Sequence, residues 1–477
     1  MKKGYIPKEQ RKKILLMCDD IRTHSGIGTV AKEIVLHTAH HLNWTQIGAA
    51  VEHPEAGKHL DLSESTNKET GLTDSSVTLY PSSGYGNPDM VRQIISLEKP
   101  DAIFIITDPR YWSWLFQMES EIRKTLPIIY LNIWDDYPAP MYNRAFYESC
   151  DLLMGISKQT VNINKLVLGE KAKDKLIKYV PHGLNHEIYK PLEKDNPELV
   201  SFRKNLFGNL DIEFAVFFNS RNIRRKQIPD TIWAYKQFAD KLSLEEAKKC
   251  ALVLHTQPVD PNGTDLPAVI DMLCGDDERY NIVFSTNRLS TQQMNLLYNS
   301  TDVQILLTSN EGWGLSLTEA MLAGKPIIAN VTGGMQDQMR FSDENGLWYE
   351  PDEYTPSNHT GTHKTYAPWA FPVFPSNISI VGSVPTPYIF DDRCNPSDAA
   401  EQIYNVWNLH PDRREVIGRL AREWAIGDEA GFTAEKQGER VIENINELFN
   451  TWSPRPRYHL IKCEPLKKKV APHNLAY

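Results

Sequence analysis

The 477-residue sequence has few cysteines, no long apolar run and no internal repeat. No apolar stretch reaches the ~18 residues that a membrane-spanning helix needs. The charged start MKKGYIPKEQRKK also lacks the apolar core of a secretory signal. The six cysteines lie far apart without a CxxC pair, which argues against a zinc cluster or a disulfide framework. These absences favour a protein of the reducing cytoplasm.

Positive charge is concentrated at the two ends of an otherwise acidic chain. The net charge is -9, yet residues 1–13 and residues 455–469 each carry six Lys or Arg side chains against one Glu. Basic ends on an acidic body suit binding to a polyanion or to an anionic lipid surface. The alternative interpretation is two solvated tails.

Short apolar runs alternate with helix-length amphipathic segments, a pattern typical of parallel α/β sheets. The length predicts roughly two to three domains. Residues 180–191 are rich in Pro and Gly and indicate a linker. We therefore predict two doubly wound domains, residues 1–190 and 191–430, that face a central cleft, followed by a helix and basic tail over residues 431–477. The predicted strands are Ile14–Met17, Ile103–Ile106, Ile128–Leu131, Leu152–Gly155, Phe214–Phe218, Leu252–His255, Ile282–Phe284, Val303–Leu307 and Ile327–Ala329.

The strongest motif is the segment of residues 310–321, NEGWGLSLTEAM, which follows a predicted strand. Its glycines allow the backbone to approach a ligand closely. A helix is expected from about Leu315 to Ala323, ending at Gly324. The first turn of such a helix, at Gly314, Leu315 and Ser316, favours a phosphate. Glu319 lies about one turn further on and can accept hydrogen bonds from sugar hydroxyls.

This segment resembles the E-x7-E motif of retaining glycosyltransferases of family 4, which have the two-domain GT-B fold. Glu311 and Glu319 match the two glutamates of that motif. The resemblance implies that Glu319 binds the ribose hydroxyls of a nucleotide sugar and that Glu311 binds the donor sugar. The alternative is that Glu319 merely stabilises the first turn of its helix.

Further motifs fall where the family has them. Arg221 and Lys226, after the strand Phe214–Phe218, match the Arg and Lys that hold the donor diphosphate, with Arg224 and Arg225 as extra cations between them. The loop with Gly26 and Gly28 resembles the glycine loop of the first domain, which faces the donor phosphates. The alternatives are a solvated basic turn and a chance glycine pair.

One position departs from the family pattern. Where the family often has a His-Asp pair after a strand of the first domain, this chain has Trp134 and Asp135. Asp135 is kept as a catalytic candidate together with Glu311. The alternative is a capped turn formed by Asp135 and Asp136.

Residues 350–396 interrupt the α/β pattern with many Pro, Ser, Thr and Asn and several aromatic side chains. A loop of this length is usually functional or disordered, and the aromatics argue against disorder. It is either a packed structural insertion or a flap that faces the substrate.

The resemblance implies a retaining glycosyltransferase that uses a nucleotide sugar, UDP-linked in our expectation, without a metal or other cofactor. Residues 82–89, 132–138 and 375–393 look like glycosyltransferases of tailed phages, some of which glycosylate 5-hydroxymethylcytosine in DNA. DNA is therefore the preferred acceptor, and the basic ends suit its phosphates. A lipid-linked or surface glycan, a protein acceptor, and a non-catalytic nucleotide-sugar or nucleic-acid binding protein remain alternatives.

Overall fold

A computed structural model describes residues 4–52, 54–354 and 365–456 and contains two mainly parallel sheets. The first is eight-stranded, in the order β3-β4-β2-β1-β5-β6-β7-β8. Only the β3–β4 pair is antiparallel among its described strands. Its strands are Lys12–Asp19 (β1), Leu42–Val51 (β2), Leu60–Asp61 (β3), Val77–Ser83 (β4), Ala102–Ile106 (β5), Ile128–Asn132 (β6), Leu152–Gly155 (β7) and Leu176–Tyr179 (β8).

The second sheet has six parallel strands in the order β11-β10-β9-β12-β13-β14. They are Phe214–Asn219 (β9), Cys250–His255 (β10), Asn281–Phe284 (β11), Val303–Leu306 (β12), Ile327–Asn330 (β13) and Ala370–Val373 (β14). Strand order reverses between β1 and β5 in the first sheet and between β9 and β12 in the second. Ligands of doubly wound sheets bind beyond the carboxyl ends of the strands at such points.

The prediction of two doubly wound α/β domains is confirmed, and each of the nine predicted strands is present. The sequence pattern missed β2, whose apolar residues are interrupted by Asn43, Thr45 and Gln46. It also missed β14, because Pro372 lies within this strand and Pro368 and Pro375 flank it in the irregular segment of residues 350–396.

Helices flank both sheets, as connections between parallel strands require. They are Gly26–Thr38 (α1), Ser63–Thr70 (α2), Pro88–Glu98 (α3), Ser113–Gln117 (α4), Glu119–Ile122 (α5), Arg144–Ser149 (α6), Lys158–Leu168 (α7), Pro197–Phe207 (α8), Ile228–Asp240 (α9), Leu244–Ala247 (α10), Leu266–Cys274 (α11), Thr291–Asn299 (α12), Leu315–Leu322 (α13), Met335–Met339 (α14), Pro396–Trp407 (α15), Pro411–Ile426 (α16) and Ala434–Thr451 (α17). Short 3-10 turns occupy Lys8–Gln10, Pro109–Trp112, Met141–Asn143, Gly169–Asp174, Arg224–Lys226 and Pro351–Glu353.

An antiparallel hairpin, Pro375–Val381 (β15) and Ile389–Cys394 (β16), follows the last strand of the second sheet. We call residues 375–394 the cleft hairpin. It arises from the second domain and reaches the first. There the Phe390 N–H donates to the Tyr137 carbonyl at 2.7 Å, and the Tyr142 hydroxyl donates to the Tyr388 carbonyl at 2.9 Å.

The terminal helix α17 packs on α1 of the first domain. Its apolar stripe of Val441, Ile445 and Leu448 is fully buried. A Cβ on Gly438 would lie 2.9 Å from the Cβ of His37, so the two helices approach too closely for a larger residue there. Helix α17, which follows the second domain in the chain, is thus packed against the first domain.

The five cysteines of the described residues are buried free thiols, and Cys463 lies outside these residues. Within the same part of the chain, no helix is both long and apolar enough to span a membrane.

Candidate functional site

Loops from the two domains meet where the carboxyl ends of the two sheets face each other. A Cβ on Gly26, in the loop after β1, would lie 3.6 Å from Leu315 Cδ1 at the start of α13. A Cβ on Gly312 would lie 2.7 Å from the Ile133 carbonyl oxygen and 3.3 Å from Asp135 Oδ1. The structure therefore brings the predicted glycine loop, the E-x7-E segment and Asp135 to one place.

Gly314 gives this segment its shape. It has a φ of +88°, in the left-handed region, and α13 begins directly after it. The helix ends at Leu322 and Gly324 follows with a φ of +75°, so the predicted helix is confirmed to within one residue. Leu315 and Ser316 form its first turn, the part of a helix that best stabilises an anion.

Glu311 lies against two cations. Its Oε2 is 2.8 Å from Arg225 Nη1 and also accepts a hydrogen bond from Lys226 Nζ. The Glu311 and Lys226 side chains are only 14% and 10% exposed. Burial alone would raise the pKa of Glu311, but Lys226 and Arg225 outweigh it and lower this pKa to about 2. Glu311 is thus a carboxylate at any physiological pH.

Arg221 lies apart from this cluster. Its side chain is 64% exposed, and its Nε pairs with Asp260 Oδ2 at 2.9 Å. In the structure, the predicted pair Arg221 and Lys226 therefore contact different carboxylates, Asp260 and Glu311. The extra cation Arg225 stands beside Lys226 instead.

Glu319 has surroundings of the opposite kind. Its Oε1 accepts from the Tyr189 hydroxyl at 3.1 Å, and its Oε2 accepts from Tyr298 at 2.5 Å and from Asn219 Nδ2 at 3.3 Å. Among the described residues, Glu319 forms no ion pair. Burial raises its pKa in spite of these three neutral donors.

Asp135 follows β6 and lines the cleft. Among the described residues, its side chain has no hydrogen-bond partner, although the cations Arg225 and Lys226 lie close enough to act on it. Burial raises the pKa of Asp135, and these cations only partly oppose this. Trp134, at the position where the family often has His, is buried and its Nε1 donates to the Asp136 carbonyl at 2.7 Å. Trp134 thus packs in the wall of the cavity, with Arg110 Cζ 5.5 Å from its ring centroid. Asp135, in contrast, is an acceptor without a donor among the described residues.

The first glycine loop is held by Ser25. The Ser25 hydroxyl donates to Asp19 Oδ2 at 2.6 Å and accepts from the Gly28 N–H at 2.9 Å, which caps α1. A Cβ on Gly28 would lie 2.6 Å from Thr23 Oγ1, so only glycine fits there. Gly28 shapes the loop, and Gly26 faces the second domain.

A cavity of about 970 Å³ lies between the domains and beneath the cleft hairpin. Its aromatic lining comes from the first domain, where the Tyr85 and Tyr111 rings stack with centroids 4.4 Å apart. Charged side chains of both signs also line it: Asp19, Asp108, Asp135, Asp391, Arg110, Arg224, Arg225 and Arg393. Glu311, Lys226 and Glu319 are not part of this lining. The cavity therefore reaches the E-x7-E segment at Asn310, which is part of the lining.

The cleft hairpin closes one side of this cavity. Arg110 Nη1 donates to the Pro385 carbonyl and to the Thr386 hydroxyl at the hairpin turn. Val381, Ser383 and Thr386 line the cavity. The segment of residues 350–396 is thus a packed insertion that adds β14 to the sheet, and it also turns a hairpin toward the cleft. A role of this hairpin as a flap over the substrate stays a prediction. Residues 355–364 of this segment lie outside the described residues.

Part of the basic N-terminal end belongs to the folded first domain. Arg11 directly precedes β1, and Lys12 and Lys13 open it. The three side chains pair with Asp74, Asp101 and Glu98, respectively, at 2.7–3.0 Å. Lys2, Lys3 and the C-terminal basic residues from Arg457 onward lie outside the described residues. Half of the N-terminal cluster is therefore already neutralised by the first domain.

Sequence reasoning missed several side chains that complete the site. Tyr189 and Tyr298, which hold Glu319, belong to the linker and to α12, and no motif marks them. Asn219 is the last residue of β9, and this place at a strand end was a usable signal. Arg225 was noted in the sequence as an extra cation, but its contact with Glu311 was not predicted. In the described residues, no group of three or more His, Cys, Asp or Glu could hold a metal ion.

Residues 277–356, which contain Glu311 and Glu319, match the family model for glycosyl transferases group 1. A trehalose synthase of Pyrococcus horikoshii is 26% identical over 114 residues, which are 24% of this chain and 27% of that protein. An uncharacterized glycosyltransferase of Methanocaldococcus jannaschii is 26% identical over 230 residues, 47% of this chain and 53% of that protein. The chain thus matches about a quarter and about half of the length of these curated relatives.

Solved structures resemble the whole described fold. The HepE protein of Anabaena, solved with UDP and glucose, aligns with a TM-score of 0.60 at 14% identity, over 92% of this chain and 100% of that chain. Sucrose-phosphate synthase of Thermosynechococcus elongatus aligns with a TM-score of 0.62 at 14% identity, over 93% and 100% of the two chains. The chain therefore has the GT-B fold, and its second domain carries the sequence match to group 1 glycosyl transferases.

Proposed function

We propose that this protein is a retaining glycosyltransferase that moves a sugar from a nucleotide sugar to an acceptor hydroxyl. One observation carries the proposal. A single short segment places Glu311 against two cations and Glu319 among three neutral hydrogen-bond donors, at the cleft of a GT-B fold. A nucleotide sugar needs both kinds of surroundings, since it joins a charged diphosphate to neutral ribose and sugar hydroxyls.

In this proposal the donor lies along α13. Glu319 accepts the ribose hydroxyls, while Lys226, Arg225 and the first turn of the helix at Gly314–Ser316 hold the diphosphate. Arg221 remains a proposed contact, and it must exchange Asp260 for the phosphate. A UDP-linked donor is favoured because HepE, which shares the fold, was solved with UDP and glucose.

The proposed chemistry rests on charge that develops in the transition state. As the glycosidic bond breaks, the diphosphate gains negative charge, which Lys226 and Arg225 stabilise. The sugar becomes an oxocarbenium ion, which the carboxylates of Glu311 and Asp135 stabilise. Groups placed in this way contribute ~2–4 kcal/mol each. Facing domains exclude water, which would otherwise compete with the acceptor.

We propose 5-hydroxymethylcytosine in DNA as the acceptor, in the cytoplasm of a phage-infected host. The cavity supports this proposal because it offers the aromatic side chains Tyr85 and Tyr111 beside cations of the second domain. Enzymes that modify a base in a duplex take it out of the stack and hold it against such side chains.

A lipid-linked or surface glycan is the second candidate, favoured by a different observation. Apolar side chains are exposed on the cleft hairpin, where Val384 is 98% and Ile380 66% exposed, and Tyr111 of the cavity lining is 55% exposed. Exposed apolar patches mark surfaces that bind apolar partners.

Mass spectrometry of the acceptor after incubation with a panel of nucleotide sugars tests the proposal. Hydroxymethylated DNA, unmodified DNA and a lipid-linked glycan are compared, with release of nucleoside diphosphate measured in parallel. Sugar on hydroxymethylated DNA alone supports the preferred acceptor. Sugar on the glycan alone overturns that acceptor but keeps the transferase, and binding of nucleotide without release in all arms identifies a non-catalytic binding protein.

A further inference from the structure

Glu311 holds the two cations that the proposed function assigns to the donor diphosphate. Both contacts use one oxygen, Oε2, and within the described residues no hydrogen bond reaches Oε1. Arg225 Nη1 also donates to the Asn310 carbonyl at 2.8 Å, which fixes the guanidinium beside the carboxylate. The motif glutamate and the cation pair thus form one ion-pair cluster, in which the side chains of Glu311 and Lys226 are 14% and 10% exposed and that of Arg225 is 34% exposed.

We propose that Glu311 is the internal counter-ion of a diphosphate site made by Arg225 and Lys226, and that a nucleoside diphosphate binds by replacing the Glu311 carboxylate on these cations. This inference rests on the proposed function and adds Arg225 as a binding residue. The exchange would free Oε2 of Glu311 to join Oε1 as an acceptor for sugar hydroxyls.

The physical reason is competition between two anions for the same donors. A diphosphate must break the two charge-assisted hydrogen bonds to Glu311 before it can form its own, and this lowers its apparent affinity. Removal of the carboxylate charge removes that competition. A variant at a motif glutamate is therefore expected to bind diphosphate more tightly while it transfers sugar more slowly.

Asp135 provides a matched control. Its carboxylate acts on Arg225 and Lys226 through space but forms a hydrogen bond with neither. If diphosphate affinity followed only the negative charge near the site, Asp135→Asn and Glu311→Gln would raise it alike. Direct replacement predicts a gain for Glu311→Gln and a clearly smaller one for Asp135→Asn.

The experiment measures binding of UDP, GDP, ADP and inorganic pyrophosphate by calorimetry to the wild-type chain, Glu311→Gln, Glu311→Ala, Asp135→Asn and Lys226→Met. Thermal unfolding checks that each variant is folded. If Glu311→Gln does not fold, Glu311→Ala takes its place in the comparison. We expect Glu311→Gln to bind the preferred diphosphate about tenfold more tightly than wild type, a difference of ~1.4 kcal/mol. The gain should disappear in the double variant Glu311→Gln, Lys226→Met.

Unchanged or weaker binding by a folded Glu311 variant would overturn the inference, and so would an equal gain in Asp135→Asn. In both cases, wild-type binding of a nucleoside diphosphate would leave the proposed function standing. If none of the four probes binds to any folded variant or to wild type, the proposed function fails as well.

Discussion

The two glutamates of the E-x7-E segment are eight residues apart and have opposite surroundings. Glu311 pairs with Arg225 and Lys226, and its pKa is lowered to about 2. Glu319 accepts from two tyrosine hydroxyls and an amide, and burial raises its pKa. The same side chain is therefore held as a permanent charge in one place and as a hydrogen-bond acceptor sensitive to pH in the other.

This difference suggests a division of labour. A carboxylate bound to cations acts through charge, which matters most when charge develops in a transition state. A carboxylate among neutral donors recognises hydroxyl groups of the bound substrate. Variants at the two positions should accordingly change different kinetic parameters.

The largest effect is expected for Glu311→Gln in sugar transfer. Loss of this charge removes ~2–4 kcal/mol of transition-state stabilisation, so kcat should fall by roughly 30- to 1,000-fold. The measurement is the initial rate at saturating donor, with Glu319→Gln as the matched variant. Equal losses of kcat in both variants would contradict the proposal that Glu311 and Glu319 have different roles.

Glu319→Gln should instead weaken donor binding. One charge-assisted hydrogen bond to ribose is worth ~1.5–3 kcal/mol, so the donor Kd should rise by roughly 10- to 150-fold. Tyr298→Phe keeps the Glu319 carboxylate but removes one of its partners, and we expect a smaller rise. A donor Kd unchanged in Glu319→Gln would remove this residue from the site.

The cations offer the next comparison. If Arg225 holds the diphosphate, Arg225→Met should remove ~1.5–3 kcal/mol of transition-state binding and lower kcat/KM by roughly 10- to 150-fold. Arg221→Met removes an exposed pair with Asp260 and should change stability by less than ~0.5 kcal/mol. We expect its loss of kcat/KM to be smaller than that of Arg225→Met. A larger loss of kcat/KM in Arg221→Met than in Arg225→Met would assign the diphosphate contact to Arg221, as predicted from the sequence.

The smallest expected effect is a pH dependence of donor binding. Because the pKa of Glu319 is raised and that of Glu311 lowered, acidification protonates Glu319 first. The donor Kd should then rise by a few-fold on the acid side in wild type, and this rise should be absent in Glu319→Gln, which has no carboxylate to protonate. Unfolding curves at each pH separate this effect from loss of structure. An identical acid-side rise in Glu319→Gln would assign it to another group.

The sequence predicted the skeleton of the fold and of the site because both depend on local patterns. Buried parallel strands are apolar runs, and the helix after Gly314 has its own start and end signals. Glu311, Glu319 and Lys226 were identified because they match residues of the glycosyltransferase motifs that follow two of the predicted strands. The strand β14 was missed because three prolines obscure its local pattern, and its pairing with β13 is visible only in the folded structure.

Partners from distant parts of the chain could not be predicted. Tyr189 is 130 residues from Glu319, and Arg110 meets the cleft hairpin at Thr386 across the domain boundary. The sequence has four cations within six residues, so it does not show whether the guanidinium of Arg221 or that of Arg225 contacts Glu311.

The central claim is that the protein cleaves a nucleotide sugar with the help of Glu311. Its most direct test measures nucleoside diphosphate released from a panel of nucleotide sugars, in the presence of hydroxymethylated DNA or a lipid-linked glycan, by wild type and by folded Glu311→Gln. We predict release by wild type with one class of donor and a loss of at least about 30-fold in the variant. Release at the same rate by both proteins, or by neither with any donor and acceptor, would contradict the account.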